Sequence, residues 1–218
     1  EKNARVGILD GNPVREDIDE AGRMIGIDFA VNVILNPGKK VVRVLAGEPE
    51  AVLKQGAKTC AKLYGVKIKT KFDIVVASCG GTPKDSILYQ AQKGLNLSSH
   101  AVKKGGKILL LAACQYGIGD DVYFDYVCQF ATPEEVLCDF KKFEFTMGAH
   151  KAYLFGRTLV DYDVAVFSDL DPAIMGQCHL RATDSSRIIN EWVDGFKGIP
   201  KVAVIPYANT TYFYTAES

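Results

Sequence analysis

Four short, almost purely apolar runs constrain this chain more than any other feature: FDIVVAS (72–78), KILLLAAC (107–114), DVAVFSDL (163–170) and KVAVIPY (201–207). Each has strand length, and none alternates apolar with polar residues as a half-exposed strand would. A strand apolar on both sides must be covered on both sides, which is the condition of a parallel sheet held between helices. The segments between the runs fit that arrangement. TPKDSILYQAQKG (82–94), a short stretch at 97–104, TPEEVLCDFKKF (132–143), AHKAYLFGRTLVDY (149–162) and DSSRIINEWVDGFKG (184–198) read as helices. The alternation over 72–207 predicts an α/β fold: a parallel, Rossmann-like sheet with flanking helices.

The first third reads differently. ARVGIL (4–9) has the look of a short buried strand. PVREDIDEAGRMIG (13–26) is a predicted helix, with Pro13 at its first position and Glu16 and Asp17 suited to its first turn. DFAVNVIL (28–35) and KKVVRVLAG (39–47) flank NPGK and predict a β-hairpin. EPEAVLKQGAKTCAKLYG (48–65) predicts a second helix, with acids at its start and Gly65 near its end. The expected division is therefore a smaller α+β unit over 1–68, with the remainder of its domain upstream, and a parallel α/β domain over 69–207. The closing segment 208–218, ANTTYFYTAES, is polar and β-prone and is expected to return to the first unit.

Charge narrows the partners. Lys plus Arg and Asp plus Glu stand at 26 each, so no basic excess points to nucleic acid or to an anionic membrane surface. No apolar run reaches the roughly 18 residues of a membrane span. The chain begins at Glu1 without Met and without a signal peptide's apolar core, which fits a cytoplasmic protein and a piece of a longer one. Its six cysteines form no C-x-x-C pair and read as buried thiols of a reducing compartment, not as a disulfide framework or a zinc site.

In open α/β sheets, ligands sit beyond the carboxyl ends of the strands. Three such ends carry polar groups. In SCGGTPKD (78–85), Thr82, Pro83 and Asp85 resemble a helix start that either binds an anion or is simply a good cap. ACQYGIGDD (113–121) is either a flexible site loop or a plain connection. SDLDP (168–172) offers two aspartates for a turn or a cation. Of the three histidines, His100 lies in a polar helical stretch and His179 in a loop. His150 opens a helix near the sheet and is the candidate for a site. None has a partner at metal-ligand spacing.

The stretch DSILYQAQKGL (85–95) places Tyr89, Gln90 and Lys93 within one turn, with Gln90 and Lys93 three apart on one helix face. They form either a solvated surface or a holder for something small and anionic. A helix starting at Thr82 would put Gln90 about 12 Å from its cap, so these side chains would act from the middle of the helix and face a cleft.

The order of GILDGNPVREDI, DFAVNVILN, VLAGE, CGGTPKDSILYQAQKGL and GGKILLLAAC resembles the nickel-dependent lactate racemase family, over nearly the whole chain, and matches its C-terminal half. The resemblance implies a racemase or epimerase of a 2-hydroxy acid. Hydride passes to and from a nickel-pincer nucleotide, whose metal ligand and tethering lysine would lie outside this chain, in the N-terminal half of the same protein. By the match of YQAQK to the family's YQA-K, Tyr89 and Gln90 would line the substrate pocket and Lys93 would hold the substrate carboxylate, with Gln90 and Lys93 the catalytic pair. An ammonium suits a carboxylate, and an amide can serve both a hydroxyl and the ketone it becomes. His150 stands where the family usually has Trp, a departure that bears on which substrate fits. The family's acid/base histidines also belong to the upstream half, and no histidine precedes His100, so the chain alone is expected to be inert. The competing readings are a nucleotide-binding α/β domain, which lacks a G-x-G-x-x-G after any strand, and a non-catalytic binding module.

Overall fold

The computed structural model describes residues 3, 4, 6–142 and 145–215, with the side chains of 185 and 186 left out. The chain divides into two compact units, Glu1–Gly65 and Val66–Ser218.

The first unit holds α1 (Pro13–Ile25), the hairpin β1 (Ala30–Leu35) and β2 (Val41–Gly47), and α2 (Pro49–Tyr64). Asn12 caps α1 by accepting from Val14 and Arg15, and Glu48 does the same for α2 from Glu50 and Ala51. The expected strand at 4–9 is absent among the described residues, and Arg5 lies outside them. Asn12 takes this segment for the helix start instead: its side chain donates to the Ile8 carbonyl at 3.0 Å and its N–H to that of Leu9 at 3.3 Å. The hairpin is antiparallel, pairing Val33 with Val44 and Asn32 with Leu45. Its inner side packs Ile34 and Leu45 against Val52 of α2. The outer side shows Val31, Val33, Leu35, Val42 and Val44 to solvent.

The second unit is built on a five-stranded, wholly parallel sheet in the order β7-β6-β5-β4-β8. Its strands are β4 (Phe72–Ser78), β5 (Val102–Leu111), β6 (Asp163–Phe167), β7 (Arg181–Ala182) and β8 (Val202–Ile205). Between them run α3 (Leu88–Ser99), α4 (Asp121–Val127), α5 (Pro133–Phe140), α6 (His150–Asp161), α7 (Pro172–Gln177) and α8 (Ser185–Asp194). The central strands β4, β5 and β6 have their two faces claimed by two cores, as the sequence requires, whereas the edge strand β8 leaves Val202 and Val204 exposed on one side. Val75, Ala77, Ile108, Leu110, Val164 and Val166 face the larger core, with Leu88, Leu95, Tyr123 and Phe155 of the helices. Ile74, Val76, Leu109 and Ala165 face the other, closed by Ile188 and Trp192 of α8. The closing segment forms β9 (Tyr212–Tyr214), which pairs with β3 (Gly65–Lys67).

Two helix expectations are corrected. The stretch 97–104 is not a second helix: β5 begins at Val102, and a bulge opposite Phe72–Ile74 absorbs Gly105 and Gly106 within the strand. The helix expected from Thr82 begins only at Leu88. Its would-be capping acid is drawn elsewhere. Asp85 accepts the Ala113 N–H with its carboxylate at 3.4 Å and the Cys114 N–H with its carbonyl at 2.7 Å, and Ser86 accepts that of Tyr116. Residues 82–87 are thereby tied to the loop that follows β5.

Candidate functional site

The late start of α3 decides the geometry. Leu88 and Tyr89 donate their N–H groups to the carbonyls of Gly117 and Ile118, each at 3.0 Å. Those donors are the ones an anion at the start of α3 would need, and no helix starts within SCGGTPKD, so that segment is neither a helix cap nor a helix-terminal anion site. The same start moves Tyr89 and Gln90 into the first turn, not the middle of the helix. Gly94 lets α3 lie close on β4: a Cβ there would stand 2.4 Å from Asn209 Oδ1 and 3.0 Å from Cys79 Sγ.

Tyr89 and Gln90 are half-buried and Lys93 is exposed. His150, the first residue of α6, meets Tyr89 edge-on with ring centres 6.3 Å apart, and its ring also lies 5.6 Å from that of Phe145. The structure thus brings Tyr89 and His150 together, on two different helices. The Gly148 N–H points at His150 Nδ1 at 3.3 Å, which leaves Nε2 as the nitrogen carrying the proton. Burial, and then the neighbouring Lys151, hold the His150 imidazole below its ordinary pKa, only partly opposed by Asp120. It is therefore a neutral donor near pH 7.

Three further groups complete the cluster. Asp120 caps α4 through the Tyr123 N–H at 2.7 Å. Gly148 admits it, since a Cβ at that glycine would stand 2.6 Å from Asp120 Oδ1. The Asp120 charge adds to burial in raising the Tyr89 phenol above its usual pKa. Lys151 is buried, donates to Gln92 Oε1 at 3.1 Å and lies 4.8 Å from the centre of the Tyr89 ring. A cavity of about 310 Å³ opens beside the start of α6, between Val122, Tyr126, Phe140 and Ala149.

No three His, Cys, Asp or Glu side chains lie together as a metal site among the described residues. In SDLDP, Asp171 caps α7 and the Asp169 N–H binds the Ala113 carbonyl. No helix among the described residues is long and apolar enough to cross a membrane.

A family model for the lactate racemase C-terminal domain matches residues 67–207. The chain belongs to the lactate racemase family. It is 30% identical over 208 residues to a lactate racemase of Lactiplantibacillus plantarum, covering 93% of this chain and 49% of that one. To the lactate racemase of Thermoanaerobacterium thermosaccharolyticum it is 28% identical over 169 residues, covering 76% of this chain and 39% of the relative. The chain thus spans half or less of the curated relatives it matches. The solved apoprotein of the Thermoanaerobacterium thermosaccharolyticum racemase superimposes with a TM-score of 0.92 at 24% identity, over 98% of this chain and 52% of that one. A Thermotoga maritima protein shares the fold at a TM-score of 0.67 and 16% identity.

Within this racemase fold, sequence reasoning passed over Lys151 and Gln92, and reached Asp120 only as part of the candidate loop ACQYGIGDD. One signal was present. In AHKAYLFGRT, Lys151 is in phase with Phe155 and Thr158, both buried, so a cation occupies the inward stripe of α6.

Proposed function

We propose that the chain is the C-terminal portion of a racemase or epimerase of a lactate-like 2-hydroxy acid, in which Lys93 holds the substrate carboxylate, Gln90 bonds the reacting oxygen, and Tyr89 and His150 line the pocket. The observation that carries this reading is the convergence of α3 and α6 at Tyr89 and His150 in a chain of the lactate racemase family. The exposed ammonium of Lys93 is free to meet an anion from solvent, and its charge makes the bond strong. Gln90 has both a donor and an acceptor, so it serves the hydroxyl and the ketone alike. The proton on His150 Nε2 offers a further donor from a ring smaller than an indole, whose own N–H would also donate.

The chemistry a nickel-pincer nucleotide supplies is acceptance and return of a hydride at C2, and the reading places its ligand and tether in an N-terminal half of the same protein. The residues of this chain bind, orient and shield the substrate. The test is to incubate the full-length protein with L-lactate and D-lactate separately, then with other 2-hydroxy acids, and follow both enantiomers by chiral chromatography. Convergence on a racemic mixture from either side is expected with at least one acid. Unchanged enantiomers throughout, in a protein loaded with its cofactor, would sink the reading.

A further inference from the structure

Lys151 is the second residue of α6, and three effects oppose a charge there. The residue is only 6% exposed. It stands at the positive end of a helix that has no acid in its first turn. Lys93 repels it, which together with the stronger effect of burial holds its ammonium below the ordinary lysine range. No carboxylate pairs with it among the described residues. Its polar contacts are Gln92 Oε1 and the face of Tyr89. Gln92 is itself only 2% exposed, and because its oxygen serves Lys151, its Nε2 is left a donor with no partner. The space between α3 and α6 therefore holds a buried cation and an unused buried N–H, and no carboxylate is bonded to either among the described residues; the nearby Asp120 acts on Tyr89 and His150. Packing alone does not explain this, since a methionine would fill the same volume without the cost of desolvating a charge.

Resting on the 2-hydroxyacid reading above, we propose that Lys151 is a positioning residue of the substrate site, and that the negative charge missing from its own contacts arrives with the substrate's carboxylate at Lys93. Lys151 supports Tyr89 from one ring face and adds its positive potential to that of Lys93. The bound carboxylate then offsets the repulsion between the two ammonium groups. The α3–α6 junction is tightest when the site is filled, so anion binding and packing of the two helices reinforce one another.

The test uses the full-length protein with two substitutions and pyruvate as a probe monocarboxylate. Lys151→Met keeps the length of the stem and removes the charge. Its thermal midpoint without ligand should stay level or rise, while pyruvate affinity falls about tenfold. In turnover, KM should rise while kcat holds. Gln92→Glu supplies the missing carboxylate from within; it should raise the midpoint and weaken pyruvate binding, even if Lys151→Met proves poorly folded. A filler role predicts the reverse: a lower midpoint in Lys151→Met and pyruvate affinity unchanged in both variants, and that result overturns the proposal. If no 2-hydroxy acid is racemised yet Lys151→Met still weakens pyruvate binding, the racemase reading fails and the role of Lys151 stands.

Discussion

The ammonium of Lys151 lies 4.8 Å from the centre of the Tyr89 ring while donating to Gln92, so one buried cation joins two successive turns of α3 to the start of α6. The ring it supports also meets His150. Polar and aromatic contacts, and not only aliphatic packing, thus set the distance between the helices that carry the candidate site. Side chains fixed by their neighbours in this way keep a small ligand in one orientation.

Lys93→Ala in the full-length protein should lower turnover of the 2-hydroxy acid by about 30- to 1000-fold, the cost of a charged partner lost from a partly dry cleft. Gln90→Ala should cost less, because a neutral hydrogen bond contributes only about 0.5–1.5 kcal/mol. Bound metal, measured by elemental analysis, should be the same in both variants as in the parent. Unchanged turnover in Lys93→Ala would return the YQAQK face to the role of ordinary solvated surface.

Stability should fall on mild acidification. Burial lowers the pKa of His150 and of His179, with Lys151 adding to the effect at His150. The unfolded chain therefore takes up protons at the ordinary value of 6.5 while the folded chain resists until lower pH. Their contribution is complete above that value and is lost as pH falls from it through the folded values. The carboxylates of Asp73 and Glu48 act in a lower window. Asp73 is held down by Lys103 and then by the Lys201 N–H, and Glu48 by the N–H groups of Glu50 and Ala51. Both contribute above the usual carboxylate range and lose this only as pH falls through their depressed values. Thermal midpoints at about pH 7.5 and about pH 5.5 should differ, and His150→Phe should narrow the gap. Equal midpoints would contradict the burial of the imidazoles.

Trp192→Ala should destabilise the parallel sheet by about 3–5 kcal/mol, seen as a fall in the melting midpoint of roughly 10 °C. Trp192 closes the smaller core from α8, and Lys107 and Arg181 lie 5.4 Å and 5.6 Å from its ring. Both cations also pair with Asp163, at 2.8 Å and 2.9 Å. Trp192→Phe should recover most of the loss.

Thiol labelling of the native protein should be selective. Burial pushes the Cys79 thiol up to about 12 and that of Cys178 up to about 11, and Cys114 is raised as well. Cys128 and Cys138 are exposed. Mass spectrometry after brief treatment with iodoacetamide should find the label on those two and not on the three buried ones. Rapid labelling of Cys79 in folded protein would contradict its place under α3.

The parallel sheet was legible because its signal is redundant: the runs that form β4, β5 and β6 are apolar and covered on both faces, while KVAVIPY, equally apolar, forms an edge strand with Val202 and Val204 exposed. The hairpin was legible from NPGK between two β-branched stretches. The start of α3 was misread because Thr82, Pro83 and Asp85 satisfy every local rule for a helix start, while the partners that claim Asp85 and Ser86, namely Ala113, Cys114 and Tyr116, lie about thirty residues on. Local propensity loses to such bonds, and nothing in the order of residues announces them. A still longer separation hid Lys151 beside Gln92, 59 residues apart. A lysine in a helix reads as surface until its phase is compared with the buried stripe.

The outward side of the β1–β2 hairpin has a practical meaning for anyone who makes this polypeptide. Val31, Val33, Leu35, Val42 and Val44 present an oily ribbon, and a two-stranded sheet leaves hydrogen-bonding groups open along both margins. Copies of the chain produced alone will zip together through that ribbon as concentration rises, and soluble yield will suffer. Co-expression with a second polypeptide that lies across it should rescue the yield. The pair would then behave as a split protein, in which recovery of solubility serves as a complementation assay for whatever sequence fits the ribbon.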